Sequence, residues 1–83
     1  MKHATDQTLG QLKTLLAKIR SRSTLVERRP GVFYRKSKAF LHFHDDPGGI
    51  FADVKEQGEW KRHRVSTPGE QAEFLKVLDA MKA

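Results

Sequence analysis

The chain has 83 residues, no cysteine and a formal net charge of +6 at pH 7. This length supports one domain with a modest core, and the lack of cysteine excludes disulfides and thiolate metal sites. No apolar run approaches the roughly 18 residues of a membrane span, and the N-terminus lacks a signal-peptide core. We therefore expect a single cytoplasmic domain over residues 1–83, with residues 1–5 disordered and no membrane partner.

The positive charge is concentrated in the first third of the chain. Residues 1–30 hold seven Lys or Arg against two acidic residues. Such charge attracts nucleic acid by neutralising phosphates and releasing counterions, but it also serves solubility alone. The charge alone therefore does not distinguish nucleic-acid binding from a role in solubility.

A first helix is predicted from Thr8 to about Arg22, capped by Thr5 or Asp6. Its apolar residues recur at spacings of three and four, which is typical of a helix with one buried stripe. Gly10 weakens the first turn. The stripe comprises Leu9, Leu12, Leu15, Leu16 and Ile19.

A turn-rich connection is predicted from Ser21 to Gly31, because Pro30 cannot continue a helix. Leu25 and Val26 are expected to attach this connection to the core.

Three β-prone runs follow, separated by turn signals. The first run is too long for one strand, and Lys36-Ser37-Lys38 is a plausible break within it. We therefore predict an antiparallel sheet of three to four strands. The runs are Val32–Asp45, Ile50–Lys55 and Trp60–Ser66, and the turns are Asp46–Gly49 and Gln57–Gly58.

The closing helix has the clearest local signature. Thr67, Pro68 and Glu70 have the spacing of a capping box with proline at the first helical position. An apolar face follows, formed by Phe74, Leu75, Val77, Leu78 and Met81.

Hairpin closure at the two turns predicts which side chains share a face of the sheet. One face is almost wholly apolar, with Leu41, Phe43, Ile50, Ala52, Val54 and Val65. Both helices are expected to pack on it, which gives a two-layer α+β domain.

The opposite face is the candidate binding surface, because it mixes aromatic, histidine and arginine side chains. It is predicted to display Phe40, His42, His44, Phe51, Asp53, Trp60, Arg62 and Arg64. A one-residue slip at Gly58 would move the third strand's arginines under the helices. The cost of burying them favours the stated register.

Two kinds of chemistry receive little support from this surface. His42 and His44 point to one side of a strand, and Asp53 could add a third metal ligand, but such histidines are more often a half-exposed stripe. No metal or cofactor is therefore predicted, and a metal-dependent enzyme is the least favoured function. No nucleophile elbow or phosphate-binding loop indicates catalytic residues, so the sequence favours a non-enzymatic protein and leaves an enzyme as an open alternative.

Three interpretations of the aromatic and basic face remain. The first is a non-enzymatic interaction domain that forms a homodimer through the exposed aromatics. The second is binding of single-stranded nucleic acid, RNA in particular, with bases stacked on the aromatics and arginines at phosphates, a design that RNA-recognition sheets use. The third is that Leu25, Val26 and residues 32–34 cover the aromatics and leave no site.

Over residues 30–80 the sequence resembles a group of small bacterial proteins of unknown function. The resemblance is carried by Phe33-Tyr34-Arg35 and by the run from Phe40 to Val54, which includes Phe-Leu-His-Phe-His and Phe-Ala-Asp-Val. It implies a bacterial cytoplasmic protein and transfers no functional residues.

Overall fold

The computed structural model describes residues 2–3 and 5–83, and it confirms the α+β class. One antiparallel sheet of six strands runs in the order β2-β3-β4-β5-β6, and β1 pairs with β4 beyond the end of β3. In chain order the elements are β1 (Lys2–His3), α1 (Asp6–Gln11), α2 (Lys13–Arg20), β2 (Val26–Arg29), β3 (Val32–Arg35), β4 (Lys38–Asp46), β5 (Gly49–Glu56), β6 (Glu59–Arg64) and α3 (Pro68–Ala80).

The predicted first helix is two short helices. Thr5 caps α1 by accepting a hydrogen bond from the Thr8 backbone N–H. Leu12 separates α1 from α2, and its N–H bonds to the Leu9 carbonyl at 3.1 Å in a tighter turn. The predicted apolar stripe is nevertheless buried along both helices. The predicted disorder of residues 1–5 falls partly on Met1 and Ala4, which lie outside the described residues.

The predicted strand number of three to four is too low. Part of the predicted connection is the edge strand β2, in which Val26 pairs with Tyr34 and Glu27 with Phe33. The charged sequence of β2 carries no apolar alternation that would have indicated a strand. The two-residue strand β1 has too few residues to show any pattern.

The predicted strand register is confirmed, but the hairpin turn between β4 and β5 is tighter than predicted, because Asp46 pairs with Gly49 and leaves Pro47 and Gly48 as the loop. Lys36 and Ser37 take positive φ values of 53° and 67° in a tight turn between β3 and β4, at the expected break. Leu41 pairs with Val54 and Phe43 with Ala52. In the next hairpin Ala52 pairs with His63, so the third predicted run keeps the expected register.

Apolar residues of the three described helices and of the sheet form a single hydrophobic cluster. Cluster residues that alternate along β4 and β5, together with Val65 directly after β6, form what we call the inner face: Leu41, Phe43, Ala52, Val54 and Val65. Because successive side chains of a strand point to opposite sides, the alternate residues of β4, β5 and β6 form a second surface, which we call the outer face.

Phe40 does not lie on the outer face, contrary to the prediction. Phe33 pairs with Leu41 whereas Tyr34 pairs with Ala39, so Phe40 sits in a bulge of β4. A bulge interrupts the alternation of side chains. Phe40 is consequently buried in the hydrophobic cluster next to Leu41 instead of lying on the outer face.

The capping box of α3 is confirmed. The Thr67 hydroxyl accepts a hydrogen bond from the Glu70 backbone N–H, and the Glu70 carboxylate accepts one from the Thr67 N–H. Phe74 and Leu78 are the buried residues of this helix. None of the helices in the described part of the chain is long and apolar enough to cross a membrane.

Candidate functional site

The centre of the outer face is a row of three directly paired residues on adjacent strands. His42 in β4 pairs with Asp53 in β5, and Asp53 pairs with Arg62 in β6. His44 lies two residues further along β4 and so points to the same side as His42. The hairpin register therefore brings two imidazoles, a carboxylate and a guanidinium together, as the sequence predicts.

Asp53 is the buried centre of this cluster, with 8% of its surface exposed. Arg62 donates two hydrogen bonds to its carboxylate, from Nε to Oδ1 at 2.9 Å and from a terminal nitrogen to Oδ2 at 3.2 Å. The Nε2 atom of His44 lies 2.9 Å from Asp53 Oδ2. A carboxylate this far from water requires such partners.

The pKa of Asp53 is lower than that of an ordinary aspartate. Burial acts to raise it, since it disfavours the charged form. The hydrogen bonds from Arg62 and the attraction of His44, Arg62 and His42 lower it, and together they prevail. Asp53 is thus held as a carboxylate, and Arg62 is held in turn as a cation whose pKa is raised by its hydrogen bond to Asp53.

Aromatic contacts surround the cluster on the β6 side. The ring centroids of His42 and Trp60 are 4.8 Å apart in an edge-to-face arrangement. Those of His42 and His44 are 4.6 Å apart with nearly perpendicular planes. Trp60 keeps 43% of its surface exposed, and Lys55 places its Nζ 5.1 Å from the centre of the indole ring.

A similar pair of an arginine and an aromatic ring lies towards the other edge of the sheet. The Arg28 guanidinium carbon lies 5.2 Å from the centre of the Tyr34 ring. Val32 pairs with His42, so Val32 and Tyr34 project on the outer face like His42. No sequence signal indicated this pair, because Arg28 lies on β2, which has no apolar alternation.

A cleft with a volume of about 480 Å³ opens beside the cluster. His42 belongs to both the cleft wall and the cluster. Other wall residues are Arg29, Pro30, Val32, Tyr34 and Ala39. A ligand in this cleft would therefore meet one imidazole, one phenol ring and one guanidinium.

The remaining predicted residues lie at the margin of the site. Arg64 pairs with Phe51 across the strands, but its guanidinium bonds to the Glu70 carboxylate at 2.8 Å and to the Gly48 carbonyl. Phe51 is half-buried. Of the eight predicted residues, His42, His44, Asp53, Trp60 and Arg62 form the cluster, whereas Phe40 is in the core.

The alternative in which residues of β2 and β3 cover the aromatics is wrong for Trp60. Trp60 lies on β6, at the opposite edge of the sheet from β2, and remains exposed. Val26, which was expected to attach to the core, has 55% of its surface exposed, whereas Leu25 is buried.

Comparisons with protein-family models, with curated proteins and with solved structures found no match to this chain. The function must therefore be argued from the outer face itself.

Proposed function

We propose that the protein is a non-enzymatic binding module whose outer face takes single-stranded nucleic acid. The observation that carries this proposal is a pair of cation-aromatic contacts on that face, Lys55 with Trp60 and Arg28 with Tyr34. Each contact offers a ring on which a base can stack and a cation that can meet a phosphate. A nucleic-acid strand repeats this combination of a base and a phosphate at every nucleotide.

The proposal requires an accessible outer face, which a two-layer arrangement would provide. We infer that the helices lie on the inner side, because their buried residues join the inner-face residues in one cluster. The exposure of Trp60 supports the same arrangement.

The charges favour an anionic partner over a second copy of this chain. Lys55 and Arg28 have no acidic partner within 4.0 Å in the described part of the chain, so both charges are available to a ligand. Two outer faces packed against each other would bring these cations together, and like charges across an interface cost free energy. A polyanion instead gains from both cations.

The spacing of the rings favours an extended ligand. Tyr34 lies on β3 and Trp60 on β6, three strands away in the sheet order. Adjacent strands are about 4.8 Å apart, so the backbone positions that carry the two rings are about 14 Å apart across the sheet. A strand of several nucleotides can follow this direction from one ring to the other. A duplex keeps its bases stacked inside and offers none to the rings.

The test is a titration of labelled 12-nucleotide single strands, RNA and DNA, followed by fluorescence anisotropy at low and high salt. We expect binding that weakens steeply with salt and quenches the single tryptophan. Trp60→Ala and Tyr34→Ala should each weaken binding by about fivefold to a hundredfold, the range that stacking on one base supplies. A three-nucleotide strand should bind much more weakly than the 12-mer.

The matched control compares two lysines. Lys55→Ala should weaken binding, whereas Lys76→Ala removes the same charge from the exposed surface of α3, where Lys76 pairs with Glu73, and should change binding little. Absence of binding at low salt, or equal effects of the two lysine variants, would overturn the proposal. Sedimentation of the same samples detects the alternative homodimer: a dimer that Trp60→Ala dissociates would replace nucleic acid with a second copy as the partner.

A further inference from the structure

We propose that His42, His44 and Asp53 form a binding site for a divalent transition metal of the zinc class. The proposal goes beyond nucleic-acid binding, because it concerns a different ligand and the buried part of the outer face. The three residues each offer one ligand atom, and these atoms all lie within 4.8 Å of one another.

The distances are close to those that a metal ion requires. Zinc binds imidazole nitrogen and carboxylate oxygen at about 2.0–2.2 Å in tetrahedral geometry, so two ligand atoms on one ion are about 3.3 Å apart. His44 Nε2 and Asp53 Oδ2 are already 2.9 Å apart. Because the ligand atoms all lie within 4.8 Å of one another, bringing His42 into the set requires a movement of at most about 1.5 Å.

The backbone holds the three residues in place. His42 and Asp53 are directly paired across β4 and β5, and His44 follows His42 on the same side of β4. Both strands are interior strands of the sheet, with pairing on each edge. The site therefore rests on rigid elements instead of loops.

Arg62 positions the carboxylate mainly through the oxygen that does not face His44. Its shorter hydrogen bond goes to Oδ1, and the longer one goes to Oδ2, the oxygen that faces His44. A metal ion at Oδ2 would replace the longer bond and leave the shorter one. Hydrogen bonds of this kind to a ligating carboxylate orient it for the metal. The positive charge of Arg62 acts against the ion, so we expect modest affinity.

The donor set selects the class of ion. Two imidazoles and one carboxylate suit zinc, cobalt or iron(II), whereas calcium and magnesium require oxygen ligands. Three protein ligands leave at least one coordination position for water or a small ligand. His42 also lines the cleft of about 480 Å³, so such a ligand would have space beside the ion.

The test uses the full chain, first treated with a chelator and then titrated with Zn²⁺ by calorimetry and with Co²⁺ by visible absorption. We expect one ion per chain, a cobalt spectrum of a four- or five-coordinate site, and movement of the His42 and His44 imidazole resonances. His44→Gln and His42→Gln should each weaken Zn²⁺ binding more than about tenfold.

His63→Gln is the matched control, because His63 lies on the opposite face of the sheet and pairs with Glu56 at 2.7 Å. It should leave Zn²⁺ affinity unchanged. Binding that survives His42→Gln and His44→Gln, or that His63→Gln weakens equally, would overturn the proposal, as would absence of binding at millimolar Zn²⁺. Lys55→Ala should bind Zn²⁺ normally, so failure of nucleic-acid binding and failure of metal binding are separate results.

Discussion

The two faces of β4 and β5 share one backbone but carry side chains of different chemistry, apolar on the inner face and charged or aromatic on the outer face. On the inner face, Phe43 and Val54 are 2% and 0% exposed and belong to the hydrophobic cluster. On the outer face, Asp53 is nearly as buried, but it is surrounded by charged and aromatic side chains. Packing explains the inner residues completely. The outer residues require an electrostatic explanation, and that difference locates the candidate site.

The largest effect on stability is expected from truncating the inner face. Phe43→Ala removes a buried aromatic side chain and leaves a cavity, which costs about 3–5 kcal/mol of the free energy of unfolding. Urea denaturation followed by circular dichroism would measure the loss. A loss below about 1 kcal/mol would show that the cluster does not depend on this residue and would weaken the contrast between the faces.

Asp53→Asn is expected to have an intermediate effect. It removes a buried charge that accepts two hydrogen bonds from Arg62 and takes the negative charge of Asp53 away from that guanidinium. Hydrogen bonds to charged groups contribute about 1.5–3 kcal/mol to stability. We therefore expect Asp53→Asn to lower the free energy of unfolding by an amount of this order. A double-mutant cycle with Arg62→Gln would check the assignment, because independent effects of the two changes would contradict a direct coupling.

Part of the stabilisation by Asp53 should appear in the pH dependence of the free energy of unfolding. The pKa of Asp53 is lower in the folded protein than in the unfolded chain. Its ionisation therefore stabilises the fold above the unfolded pKa of about 3.9, and this stabilisation is lost as the pH falls through the folded pKa. Glu27 and Glu70, whose pKa values are also lowered, contribute in the same direction. Asp53→Asn should flatten the acid limb of the stability curve, and an unchanged slope would contradict this account.

The smallest effect on stability is expected from Trp60→Ala. With 43% of its surface exposed, Trp60 loses mainly its contacts with His42 and Lys55, so the cost should stay below about 1 kcal/mol. The same variant should strongly weaken binding of single strands. A loss of stability comparable to that of Phe43→Ala would mean that Trp60 is a structural residue and not part of a binding surface.

Local sequence signals predict much of the fold and of the candidate site. The turns at Asp46–Gly49 and Gln57-Gly58 fix the register of the β4–β5 and β5–β6 hairpins, and the register places His42, Asp53 and Arg62 in one row. Because alternation along a strand is regular wherever no bulge interrupts it, a correct turn predicts the face of the residues that follow it.

Interruptions of regular geometry could not be predicted in this way. The bulge at Phe40 shifts one residue from the outer face to the core, and nothing in the residue types around it distinguishes it from regular alternation. The break between α1 and α2 at Leu12 has no signal in the hydrophobic pattern, because the apolar stripe continues through Leu12. β2 is stabilised by tertiary contacts, including the Arg20–Glu27 ion pair at 2.6 Å, that no local pattern reveals.

The sheet is open at both ends, and this has a consequence for how the protein behaves at high concentration. An unpaired strand edge can recruit the edge of another molecule and start aggregation. Here both terminal strands are rich in charge: β2 reads Val-Glu-Arg-Arg and β6 reads Glu-Trp-Lys-Arg-His-Arg. Approaching edges would have to desolvate and juxtapose these charges, so the charged residues of both edge strands protect the molecule from fibril-like stacking.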